Sequence, residues 1–132
     1  MANKTFFISG HREITQEEFD LNYGVILKEY EEKYKDNPPK YIMGDYYGVD
    51  FMAQNYLMDV LKVNPNRVVV YHMFDKPRNR NNKIRNLVGG FRTDEERDAA
   101  MTMNSDEDIA FVRNHYKWSG TGANILRRKL LK

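Results

Sequence analysis

The chain has 132 residues, 41% of them apolar and 30% charged, enough for one compact domain with a core of its own. The formal net charge is only +2, which excludes a polycation and leaves any nucleic-acid contact to a local patch. There is no cysteine, which excludes disulfides, thiolate metal sites and a cysteine nucleophile and is compatible with a reducing compartment. The opening "MANKTFFISGHRE" is too short in apolar residues for a secretory signal, and no apolar run approaches the length of a membrane span. A cytoplasmic protein with no membrane partner is therefore expected.

"TFFISG" (5–10) predicts a buried strand that stops at a glycine. Thr15 and Glu18 form a capping box, which opens a helix over 15–36 carrying Phe19, Tyr23, Ile26, Leu27 and Tyr30 at helical spacing. "DNPP" ends it. "YIMG" (41–44) predicts a second strand. "GVDFMAQNYLMDVLK" (48–62) predicts a second helix with Val49, Met52, Ala53, Tyr56, Leu57, Val60 and Leu61 as its buried stripe. "RVVVYHM" (67–73) is apolar almost throughout, as a strand covered on both faces is. Residues 75–92 read as a long basic loop. Thr93 and Glu96 cap a helix to about Met103, "DIAFVR" (108–113) predicts a fourth strand, and 121–131 a last helix. Four alternations of strand and helix predict an α/β fold, a Rossmann-like three-layer domain with a mainly parallel sheet, in a single unit over 1–132.

Ligands of such a sheet collect beyond the carboxyl ends of its strands. Four unusual stretches follow the strands there: "SGHR" (9–12), "GDYYGVD" (44–50), the basic segment after "HMFDKPRN", and "NHYKWSGTG" (114–122). In the last, Ser119, Gly120, Thr121 and Gly122 stand between a strand and a helix. Glycines admit close backbone approach, and hydroxyls and the first helical N–H groups supply donors, so a phosphate cradle is expected. The bland alternative is plain capping, since Ser or Thr before a helix is common without any ligand.

Gly10, His11 and Arg12 are candidates for contact with a phosphate or a base, against a solvated turn. Gly44, Asp45 and Asp50 could approach a ribose or a metal, although either carboxylate could simply cap the second helix. Asp106 and Asp108 flank the fourth strand, where solvation is the default. His72 reads as a satisfied core or rim histidine, and the three histidines have no metal-ligand spacing. Met101 and Met103 read as gap-filling core. Trp118 either stacks on a base or staples the helix entry. Arg78, Arg80, Lys83, Arg85 and Arg92 form a solvated face, a nucleic-acid contact, or a lid over a polyphosphate that is mobile when empty, hinged at Gly89 and Gly90, and ordered by an anionic ligand. The rival is a segment held shut by Ile84, Leu87 and Phe91.

"ISGHR", "MGDYYGVDFMAQNYL", "ERDAAMTMNSDEDIAFV" and "SGTGANI" together resemble the SLOG superfamily in kind and order, over nearly the whole chain. That group includes the YpsA-like proteins, the DprA-type DNA-processing proteins and the LOG-type nucleoside-monophosphate phosphoribohydrolases. The second stretch is similar to its G-x-x-x-G-x-D-x-x-A pattern at Gly44, Gly48, Asp50 and Ala53. The third is similar to its "RN-x-x-M … D-x-x-I-A-F" stretch at Arg97, Met101, Asp106, Ile109, Ala110 and Phe111, and the fourth to its glycine-threonine phosphate loop. The resemblance implies a Rossmannoid fold that binds a nucleotide or nucleotide-derived ligand. It also marks two departures. The LOG-type glutamate after the glycine-threonine pair is here Asn124, and the LOG-type Arg-Asn pair is here Arg97–Asp98. Asparagine cannot serve as a general base or nucleophile.

Two functional classes follow. One is a binding module for a nucleotide-derived small molecule, with no cofactor and no resident metal. The other is an N-glycoside hydrolase or transferase in which Asp45, Asp98 or Asp106 replaces the missing glutamate. DNA binding in the DprA manner is the weaker third reading, because the near-neutral total charge counts against it. The sequence leaves a homo-oligomer open, along with the base, the sugar and whether the ligand is substrate or signal.

Overall fold

The computed structural model describes residues 3–111 and 120–131, without the side chains of 120–123 and 131. Five parallel strands form one sheet in the order β4-β3-β2-β1-β5: β1 (Thr5–Ser9), β2 (Lys40–Met43), β3 (Val68–Met73), β4 (Asn86–Phe91) and β5 (Glu107–Ala110). The helices are α1 (Gln16–Phe19), α2 (Val25–Lys33), α3 (Val49–Asn55), α4 (Asp94–Met103) and α5 (Gly120–Leu131). The α/β, Rossmann-like expectation holds, with every strand pair parallel.

Alternation along the strands builds two cores. Phe6, Ile8, Tyr41, Met43, Val68 and Val70 face Phe19, Tyr23, Leu27, Val49, Ala53 and Leu57 on α1–α3 and the turns that continue them. Phe7, Ile42 and Tyr71 face Met101 on α4. Both faces are covered, which is why these strands read as continuous apolar runs. The chain travels β1→β2→β3→β4 in one direction and then returns to place β5 on the far side of β1. The order of strands therefore reverses at β1, and the β1/β5 crevice is the topological switch point.

Three elements expected from the sequence need correction, and Val60 and Met103, expected to be buried, are exposed. The first helix is interrupted by a π-helical turn at Asp20–Gly24, and the second ends in one at Tyr56–Val60. They meet where Gly24 packs against the Tyr56 ring, and a Cβ at Gly24 would crowd that ring. The third correction concerns 75–92, which is not a loop throughout, because 86–91 is the edge strand β4. Gly89 and Gly90 lie inside that strand rather than at a hinge. Gly89 is small because a Cβ would run into the His72 ring, and Gly90 has φ +91° at the register shift opposite Tyr71–Met73. The remaining segment is anchored by Ile84, fully buried in the core, whereas Leu87, which the rival reading also named, is exposed.

Candidate functional site

The carboxyl ends of the strands form a rim on which the first two loops lock together. Val49 N–H donates to the His11 carbonyl at 3.2 Å. Gly48 has φ +82° and lies so close to the backbone of Arg12 that any side chain would collide with it. Gly10 is hemmed in by Tyr23 and Val49, and Gly44 by Asp50 and Arg97. These glycines have packing reasons of their own, whatever approaches the rim. Gly48, not Asp50, is the N-cap of α3, which answers the capping alternative for Asp50.

A network of arginines and aspartates underlies the rim. Asp45 is fully buried and accepts four hydrogen bonds: from Arg78 N–H, Nε and Nη2 at 2.8, 3.2 and 2.9 Å, and from Arg97 Nη1 at 2.8 Å. Burial alone would raise its pKa, but the Arg78 hydrogen bonds and the charges of Arg78 and Arg97 outweigh it and hold the carboxyl below its usual value. Arg78 also pairs with Asp94 at 3.0 Å. Arg97 turns its other nitrogens to Asp98 at 3.0–3.2 Å. Asp98 is in turn hydrogen-bonded by Asn124, whose Oδ1 accepts from Arg127 at 2.7 Å. Burial raises the Asp98 pKa despite Arg97. Asp50 accepts from the Tyr46 N–H at 3.2 Å, and desolvation pushes its pKa up to about 7 against the pull of Arg97. Above this network the guanidiniums of Arg12 and Arg78 both lie over the Tyr46 ring, at 4.3 and 4.4 Å.

The structure thus brings together Gly10, His11, Arg12, Gly44, Asp45, Asp50, Arg97, Asp98 and Asn124. It does not bring Asp106 to them. Asp106 precedes β5 and exchanges hydrogen bonds with the backbone of Thr5 at the amino end of the sheet, so it leaves the candidate set. Asp108 is bound by Arg128. Gly120, Thr121 and Gly122 open α5 as its first turn, while Trp118 and Ser119 lie outside the described residues. Among the described residues, no cluster of His, Asp and Glu has the arrangement of a metal site, and no helix is long and apolar enough to cross a membrane.

Sequence reasoning missed four contributors. Gln54 is fully buried and bridges the Gly44 carbonyl, the Asn79 carbonyl and the Asn81 N–H. Its place four residues after Asp50 on the buried stripe of α3 was the available signal. Tyr46 and the latching role of Arg78 had none. Ser9 ends β1 with its hydroxyl buried and without a hydrogen-bond partner among the described residues. By strand alternation it shares the face of Phe7, the one covered by α4, at the switch point. No family model matches the chain, and no curated protein or solved structure is significantly similar to it.

Proposed function

We propose that the rim binds a nucleotide or a nucleotide-derived phosphorylated ligand. The observation that carries this reading is the buried Ser9 hydroxyl at the β1/β5 switch point, unpartnered among the described residues. A buried hydroxyl without a partner costs on the order of 1–3 kcal/mol, so a ligand oxygen that bonds it has something to gain. Three features support an anionic, aromatic ligand in particular. Arg12 is exposed at the rim with no ion pair among the described residues. The first turn of α5 offers the unpaired N–H groups that any helix start carries. Tyr47 is half exposed beside Tyr46, with ring centroids 4.9 Å apart, and offers a face for a base.

One observation favours a second reading, an N-glycoside hydrolase. Asp98 touches Asn124, so a carboxyl is present beside the position where the LOG-type pattern has its glutamate, delivered from α4 instead of α5. A carboxyl whose pKa burial has raised suits proton transfer. In that case Asp98 would serve as the base, with Asn124 orienting it.

Calorimetry with a panel of nucleoside mono-, di- and triphosphates, followed by chromatography for free base, separates the readings. Heat of binding with the nucleotide recovered intact supports the module. Base release that Asp98→Asn abolishes supports the enzyme. Neither heat nor base would overturn both.

A further inference from the structure

Away from the rim, β4 is the outer strand of the sheet on the side opposite β5. It is exposed from Asn86 to Gly90, with Leu87 and Val88 more than a third accessible on opposite faces. Among the described residues its backbone bonds only to β3 and to Phe74, so alternate N–H and C=O groups face outward without a partner there. Beside it Phe74 sits at φ +50°, a conformation an aromatic residue rarely adopts, held by reciprocal 2.9 Å hydrogen bonds with Gly90 and Phe91. That strain is not repaid by burial, because Phe74 is 62% exposed. Next to Leu87, an open surface depression of about 490 Å³ is lined by Asp75, Lys76, Pro77, Arg78 and Arg80.

We propose that β4 is a docking edge for an extended, acidic segment of a partner protein, which adds to the sheet as a sixth strand. Charge selects the occupant. Arg85 and Arg92 bracket the strand, both exposed and without ion pairs among the described residues, and Lys76 lines the depression beside it. A second copy pairing antiparallel through 86–91 would set Arg85 of each copy opposite Arg92 of the other, and like charges directly opposed destabilise a strand pair. The same two arginines favour carboxylates at the ends of an incoming strand. Leu87, Val88 and Phe74 supply apolar contact on both faces.

The test uses fluorescein-labelled eight-residue peptides of alternating Val and Thr with two Glu, two Ser or two Lys added at each end. Binding is read by anisotropy and mapped by backbone amide shifts in the full chain. The Glu-flanked peptide is expected to bind, to shift the amides of Leu87, Val88 and Gly89, and to bind at least tenfold more tightly than the Lys-flanked one. Arg85→Glu combined with Arg92→Glu, two exposed positions, should invert that preference, and Phe74→Ala should weaken binding. The proposal is overturned if the Glu-flanked peptide does not bind, if flanking charge has no effect, or if the shifts map elsewhere. A dimer that Leu87→Lys dissolves would also overturn it, in favour of self-pairing.

Discussion

Asp45 and Asp50 sit five residues apart at the same rim and are driven in opposite directions by what surrounds them. Asp45 has four donors and stays ionised, whereas Asp50 accepts one backbone hydrogen bond among those described and holds its proton to about pH 7. The consequence for stability has a definite sign. In the unfolded chain Asp50 loses its proton near the ordinary value of 3.8. Between that pH and about 7 the folded state binds the extra proton, so stability falls as pH rises through this window and the full penalty is present above it. A difference of this size corresponds to ~4 kcal/mol at most. Asp50→Asn should therefore flatten the decline in urea-denaturation stability between pH 4.5 and 7.5, and parallel curves for the two proteins would refute the assignment. Arg12 carries the ligand prediction at this scale. Arg12→Lys should weaken nucleotide binding about tenfold and Arg12→Ala further, since Lys lacks the bidentate fork; calorimetry checks both. Asp45 was visible in the sequence as a polar residue after a strand. Its partner Arg78, thirty-three positions further on, was not, because nothing local joins them.

At the scale of elements, the helix starts were the most legible features, because a cap is a local pattern. Thr15 and Thr93 each accept the N–H three residues on, and Glu18 returns the bond to complete the first box. The π-helical turns left no trace in the pattern of apolar residues. β4 was illegible for a definite reason. "NLVGGF" is exposed on both faces, so it shows neither a continuous apolar run nor an alternation, and its two glycines argue against a strand. The segment before it carries few apolar anchors in its sequence. Its polar side chains do much of the holding: Arg78 on Asp45, Asn79 on the Asp45 carbonyl, and Asn81 on Asn55 and Asp59. The amides of Arg78, Asn79, Asn81 and Ile84 donate to acceptors at 2.8–3.1 Å. They should be protected from hydrogen exchange without ligand, while those of Lys76 and Arg85 exchange freely. Exchange of all six at unfolded-chain rates would restore the ligand-ordered lid.

For the whole molecule, alternation of strands and helices was enough to foresee a parallel, doubly covered sheet, since only short crossovers with one hand are compatible with it. It could not give the strand order, because strands with equally apolar faces do not announce their neighbours. That order has a kinetic consequence. Neighbouring strands β2, β3 and β4 are reached in sequence from β1, each over a short stretch of chain. The pairing of β1 with β5, Phe6 with Glu107 and Ile8 with Ile109, must instead close the longest loop in the sheet. Closure entropy is spent before that contact returns anything, so it belongs to the late side of the folding barrier. Ile109→Val should cost about 1 kcal/mol, and that loss should register in the unfolding arm of a chevron plot while the refolding arm barely moves. A refolding rate that falls in proportion to the lost stability would place β5 in the nucleus. Otherwise the crevice between β1 and β5 is the last part of the sheet to assemble and the first to open, on every excursion the protein makes from its native state.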